Sequence, residues 1–348
     1  MKAFILSLIA SCLLLAGCSS ESGNSLLTPN CTGSPYDVYL VMPSELNETP
    51  LNDSLHAIFE YPMEGTPSGD EYFYVSTIQP ENFVRIIRTL RNIVIIDVDP
   101  RNSEKPHMTK EFDTYARGQI IIKMYGNDQQ TLADYLMQHQ AEIRKTIVDI
   151  EIERSVQYLS KNFNSQQKRR LKKLQQVTLD IPETISRTAI GQTDPNFFWA
   201  TDNITDKQSH IVVYSIPYTD ANVFTLEGAI AVRDSVLKAN IPGASEGSYM
   251  TTYQKYILPT YTPINVNGNY VGELRGLWKM ENEWMAGSFV CHIRLDEINN
   301  RVIFAEGFCY APRDSKRKLI RNLEATLHTL KLPADIQAEE AAKAAQQQ

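Results

Sequence analysis

Metal-binding spacings are missing from this chain. Its five cysteines and six histidines in 348 residues form no C-x-x-C, H-E-x-x-H or H-x-x-E-H pattern, so no metal centre is expected. No Gly-rich turn follows a strand, which removes the usual cradle for nucleotide phosphates, and no cofactor is expected. A basic excess is lacking too. With 34 Lys+Arg against 41 Asp+Glu the chain is net negative, and nucleic acid is not an expected partner. Nor does any apolar run reach the roughly 20 residues of a bilayer span.

The apolar stretch from Ala3 to Ala16 in MKAFILSLIASCLLLAGC reads instead as a secretory signal, with Lys2 supplying the positive charge. Leu15-Ala16-Gly17-Cys18 has the form of a bacterial lipobox. Cleavage after Gly17 would leave Cys18 as the new N-terminus carrying a diacylglycerol, and the two or three acyl chains of a lipoprotein make a lasting anchor. A membrane is therefore the expected partner, reached through lipid, and Ser19 behind the lipid Cys points to the outer membrane of a cell envelope. Removal of the signal takes away Lys2 alone and leaves 33 cations against 41 anions, a net of −8. Residues 19–35, SSESGNSLLTPNCTGSP, lack periodicity and read as a tether with a reach of roughly 20–25 Å.

Between this tether and the tail the two halves share an order of elements. YDVYLVMP from Tyr36 and HIVVYSIP from His210 are aromatic, β-branched strands stopped by Pro. Each precedes an amphipathic helix, with Leu51, Leu55, Ile58 and Phe59 on one and Leu226, Ile230, Val232, Val236 and Leu237 on the other. A Gly/Pro/Ser turn and an aromatic strand follow each time. The expectation is an α+β fold of two similar sandwich-like halves, with a ferredoxin-like duplication as the form that would explain the likeness. A long helix, or two helices end to end, through 128–176, a stretch without Gly or Pro, would join them. Its basic run KRRLKK at 168–173 suits a solvated helix end better than a lipid patch. The chain then divides into a signal peptide (1–17), a tether (18–35), a first half with its C-terminal helix (36–180), a second half (181–332) and a low-complexity tail (333–348).

GASEG at 243–247 spells G-x-S-x-G, the nucleophile elbow of serine hydrolases, and Asp296 and His328 follow Ser245 in the chain order of that fold. The surroundings argue for a plain turn. An elbow lies between a strand and the helix after it, whereas here a helix ends near Asn240, Pro242 stops it and a strand follows. His328 lies mid-helix in LEATLHTL among packing leucines. Catalysis by Ser245, Asp296 and His328 is therefore the lesser reading. The acid pairs Glu281/Glu283 and Asp296/Glu297 read as turn charges rather than as a glycosidase pair.

The tryptophans are concentrated in FFWATDN (Trp199) and ELRGLWKMENEWMAGSF (Trp278 and Trp284). A three-residue loop at 280–282 would set Trp278 opposite Trp284. Packed core is the favoured reading, and a binding groove of Trp199, Trp278 and Trp284 edged by Arg275 is the sharper one. A three-residue loop at 299–301 would likewise set Cys291 opposite Cys309, close enough for a disulfide in an oxidising compartment, with Cys31 left free in the tether. A two-residue loop would turn the two sulfurs to opposite faces.

With the lipobox, the segments EYFYVSTI, RNIVIIDV, FFWATDN, RDSVLKANIPGASEGSYMTT, ELRGLWKMENEWMAGSF and EGFCYAPRDSKRKLIRNLEA resemble the Bacteroidota lipoprotein family known as domain of unknown function 4837, over nearly the whole mature chain to about Leu332. The resemblance implies a Gram-negative envelope lipoprotein and supplies no activity, cofactor or catalytic residue. The expected function is a membrane-anchored, non-enzymatic binding or assembly module with an envelope protein partner. The alternatives are a periplasmic hydrolase using Ser245 and a lipid or glycolipid carrier working from the aromatic half.

Overall fold

Alternating buried positions along DVYLV make Asp37–Val41 a strand, β1, in the computed structural model, which describes residues 28–67, 69–202 and 204–346. Gly17 and Cys18 lie outside the described residues. Thr49 caps the helix α1 (Pro50–Phe59), its hydroxyl accepting from the Asn52 amide and Pro50 standing at the first helical position. The α1 crossover returns the chain so that β2 (Tyr74–Ile78) pairs with β1 in parallel. With β3 (Asn92–Val98), β4 (His107–Phe112) and β5 (Ile120–Gly126) this gives a five-stranded sheet in the order β2-β1-β3-β5-β4, in which only β4 runs antiparallel to its neighbour. α1, α2 (Gln129–Gln138) and α3 (Gln140–Leu159) cover one face over a core that includes Leu40, Leu55, Ile122, Leu136 and Ile147.

The long helix, or two end to end, expected through 128–176 is three. His139 ends α2 and begins α3, and the Asn164 side chain caps a new helix, α4 (Ser165–Gln175), by accepting from the Gln166 and Gln167 amides. Side-chain capping breaks the helix here without Gly or Pro. Leu171 of α4 packs into the second core, so the change from one core to the other falls near 160–164, upstream of 180. The basic run is largely spent on local contacts: Lys168 pairs with Asp180 at 2.5 Å, and Arg170 donates to the carbonyls of Trp199 and Ala189.

The second unit runs through β6 (Arg187–Ile190), β7 (Phe198–Thr201), β8 (Gln208–Pro217), α5 (Leu226–Asn240), β9 (Met250–Tyr253), β10 (Thr260–Val266), β11 (Asn269–Met280), β12 (Ala286–Asp296), β13 (Arg301–Tyr310) and α6 (Arg317–Leu327), with α7 (Pro333–Gln346) beyond. Its sheet is antiparallel throughout, in the order β10-β11-β12-β13-β8-β7-β6, and β9 pairs with the last four residues of β11. α5 covers one face and α4 with α6 the other. The α+β, two-part architecture is as expected, but the two units are not copies. β2 returns beside β1 in parallel, whereas β9 pairs antiparallel with β11, and neither strand order is that of a ferredoxin-like fold.

Register corrects two hairpins. Trp278 faces Gly287, not Trp284, because the turn spans four residues and closes with Met280 N–H on the Met285 carbonyl at 2.8 Å. Only glycine fits at 287, where a Cβ would stand 1.9 Å from the Cys309 carbonyl oxygen. In the next hairpin Asp296 faces Arg301, so Cys291 stands opposite Glu306. Asp296 accepts from the Asn299 amide and Asn300 takes φ +48°, which closes a four-residue loop at 297–300 in place of a three-residue loop at 299–301. Cys309 is thereby displaced about 10 Å along the strand from the position opposite Cys291. It also points the other way, into the core under α4 and α6 rather than the one under α5. Both are free thiols, and the expected disulfide is absent. Cys31 is no loose tether residue either: its N–H donates to the Arg117 carbonyl and Thr32 N–H to that of Thr89, both at 2.9 Å.

The two units interlock along α6. Asp70, from the loop after α1, accepts from the Ser315 hydroxyl, from Lys316 N–H at 3.1 Å and from Arg317 N–H at 3.4 Å, capping a helix of the other unit. The Arg317 guanidinium lies 3.5 Å over the Tyr74 ring, and that of Arg321 lies between Tyr36 and Tyr72 at 4.9 and 4.8 Å. Gly65 lies so close to β11 that a Cβ would meet the Gly276 nitrogen at 2.8 Å.

Candidate functional site

Helical spacing puts Arg317, Arg321, Glu324 and His328 in one stripe along α6, distinct from the apolar stripe of Ile320, Leu323 and Leu327 that packs on the sheet. The polar stripe meets Glu273 and Arg275, which share a face of β11, and His292 of β12, which register sets directly opposite Glu273. Arg275 donates from Nε to Glu273 Oε1 at 2.6 Å, from Nη2 to Oε2 at 2.9 Å, and from Nη2 also to Glu324 Oε1. Arg321 Nη1 donates to Glu324 Oε2 at 2.8 Å. His292 Nε2 lies 3.4 Å from Glu273 Oε2, and the His328 ring stands edge-on to that of His292 with centroids 5.0 Å apart.

Burial drives both glutamates toward the neutral acid, but Arg275, helped by His292 at Glu273 and by Arg321 at Glu324, outweighs it and holds both below the usual carboxylate range. His328 is pushed down to about 4 by burial and then by His292, so it is neutral imidazole at pH 7. Ligand atoms of Glu273, His292 and His328 all lie within 4.8 Å of one another, and among the described residues this trio can hold a metal ion. Sequence reasoning missed it because the first two residues are 19 apart in the chain and meet only through strand register. His328 also lines a cleft of about 400 Å³ between Lys145, Asp149 and Glu153 of α3 and Asn265, near the end of β10, with Asn267 of the turn after it.

Ser245, Asp296 and His328 are not brought together. Ser245 is exposed in the loop after α5, beside a depression of about 730 Å³. Its N–H donates to Glu283 Oε1 at 2.7 Å, and the Ser248 hydroxyl donates to the same oxygen at 2.7 Å. A carboxylate from the β11–β12 turn thus occupies the place an oxyanion would need. Asp296 lies at the far end of β12, an eleven-residue strand that spans roughly 35 Å, and it is committed to Arg301 at 2.8 Å. The proposed groove fails as well. Trp278 is buried, donating to the Cys309 carbonyl at 3.1 Å, and Arg275 faces the opposite side of β11. Trp199 is half-buried on β7 against His210, whose imidazole burial pushes down to about 4. Of the four, only Trp284 is presented to solvent, at 104% exposure on the turn that Glu283 secures.

The Ser245 amide and then the Ser248 hydroxyl lower the pKa of Glu283, so its grip is complete above the ordinary glutamate range and is lost as pH falls through the lowered value. The hydrogen-exchange protection factor of the Ser245 amide should drop on that acidification, and at pH 7 in Glu283→Ala. Equal protection in both proteins would show that the loop is held by something else.

These residues sit in one matched segment. Residues 164–329 match the family model described as Domain of unknown function (DUF4837). That segment holds Glu273, Arg275, His292, Glu324 and His328, together with the exposed Trp284. Residues 31–160 match a different one, Domain of unknown function (DUF8532), which covers the first sheet and its three helices. The resemblance expected over nearly the whole mature chain therefore narrows to the second unit, and the break between the matches falls where α3 gives way to α4. No curated protein matches the chain.

Proposed function

We propose that this is a lipid-anchored protein of a Gram-negative envelope, of the Bacteroidota lipoprotein kind, whose second unit binds a partner protein through the tip that carries Trp284. The anchor rests on Leu15-Ala16-Gly17-Cys18 behind a short apolar signal. A lipid suits a body in which, among the described residues, no helix is long and apolar enough to cross a membrane. Chain pairing from Asn30 onward leaves only residues 19–29 between Cys18 and the body, which would therefore work close to its membrane. Ser19 favours the outer membrane.

The observation that carries the binding is Trp284. An indole in full contact with water, on a turn already pinned by Glu283, brings 150–250 Å² of surface to an interface at little ordering cost, and Trp leads among interface hot spots. Cys18→Ala should abolish labelling by a palmitate analogue, and unchanged labelling would defeat the anchor. In-cell crosslinking of wild type and Trp284→Ala addresses the binding. A crosslinked protein species lost in the variant, whose circular dichroism is unchanged, is the expected result. A species that persists would remove the tip from the interface.

A further inference from the structure

We propose that Glu273, His292 and His328 form a binding site for one divalent transition-metal ion of the zinc type, with an open coordination position toward the cleft beside α3. Two imidazoles and one carboxylate are the donors such ions prefer, whereas Mg²⁺ and Ca²⁺ favour all-oxygen shells. Bonds of about 2.0–2.2 Å put neighbouring ligand atoms about 3.3–3.6 Å apart. His292 and Glu273 already stand at 3.4 Å, and the whole trio lies within 4.8 Å, so a small rotation of His328 at the end of α6 would close the site.

Support from behind is in place. Arg275 grips both oxygens of Glu273 and is itself held by Glu324, the outer-shell arrangement that orients a carboxylate ligand. The charges facing the site balance: Glu273 and Glu324 against Arg275 and Arg321, so an arriving cation would meet a neutral shell. At the mouth Lys145 is neutralised by Asp149 at 2.5 Å, and Glu153 leaves the approach negative. His328 is the ligand that lines the cleft, so water and small molecules would reach the ion on its side.

The test uses the purified full-length protein without a histidine tag, stripped with EDTA and titrated with ZnCl₂ against a chromophoric chelator. One equivalent per chain is expected. Loss of a ligand in His328→Ala should weaken binding by more than the roughly 10–100-fold that outer-shell changes cost, and His292→Ala should do the same. His292 is deeply buried, so if its variant fails to fold, His328→Ala at the cleft edge decides. A wild-type protein that takes up no zinc, or a folded His328→Ala variant with undiminished affinity, overturns the proposal.

Discussion

Arg233→Met should cost about 3–5 kcal/mol of stability, because it strands a carboxylate in an apolar core. Arg233 on α5 and Glu306 on β13 are both 0% exposed, joined by Nε to Oε2 at 2.8 Å and Nη2 to Oε1 at 2.7 Å. The guanidinium also donates to Thr252 Oγ1 at 2.9 Å and lies 3.8 Å over the Phe289 ring. Burial already raises the Glu306 pKa against the pull of Arg233, and without the cation it would rise further. A carboxyl whose folded pKa exceeds its unfolded value costs stability above the folded pKa and costs none below the unfolded one. The deficit should therefore be greatest at neutral pH and shrink on acidification as Glu306 takes up a proton. Thermal unfolding at pH 7 should show a midpoint about 6–20 °C lower. Arg233→Met/Glu306→Leu should regain most of it, and a single variant within 1 kcal/mol of wild type would mean that water reaches the pair.

A different failure is expected at the seam. Arg321→Ala removes the cation between Tyr36 and Tyr72 and one of the two guanidinium partners of Glu324. Desolvated cation–π contacts and a buried ion pair together set the loss at about 2–4 kcal/mol. That loss falls where two different sheets meet, so calorimetry should resolve two unfolding transitions in the variant where the wild type shows one. Arg321→Lys should lie between them, since lysine keeps the charge but not the planar stack. A single transition in Arg321→Ala, lowered as a whole, would show that the remaining α6 contacts couple the units without it.

Legibility in the sequence followed the range of the interaction. YDVYLVMP and HIVVYSIP form strands, and the helix after each uses the apolar positions that periodicity marks, because those signals lie within one element. The turn reading of GASEG was also local, resting on a helix stop before and a strand after. Loop lengths were not legible by counting. The Asp296–Asn299 contact closes one hairpin early, over 297–300 rather than 299–301, and the resulting three-place shift in register, being odd, puts two cysteines on opposite faces. The Glu273–His292–His328 cluster left a partial trace, for the stripe on α6 is visible at its spacing of four, three and four, but its target is not. Glu306 is the exception among long-range features, because an acid between inward-facing Phe304 and Phe308 implies a buried cation opposite.

The cap on α6 ties the assembly of the protein to its synthesis. Lys316 offers that helix no side-chain bond, and its first amides and Ser315 are closed by Asp70, made 245 to 247 residues earlier. At about 5–20 residues per second, the first unit, finished at Leu159, would wait roughly 8–32 s for the helix that covers Tyr36, Tyr72 and Asp70. For that interval its seam face stays open to a chaperone or to another nascent chain, and a chain that stops before Arg317 would leave it open for good.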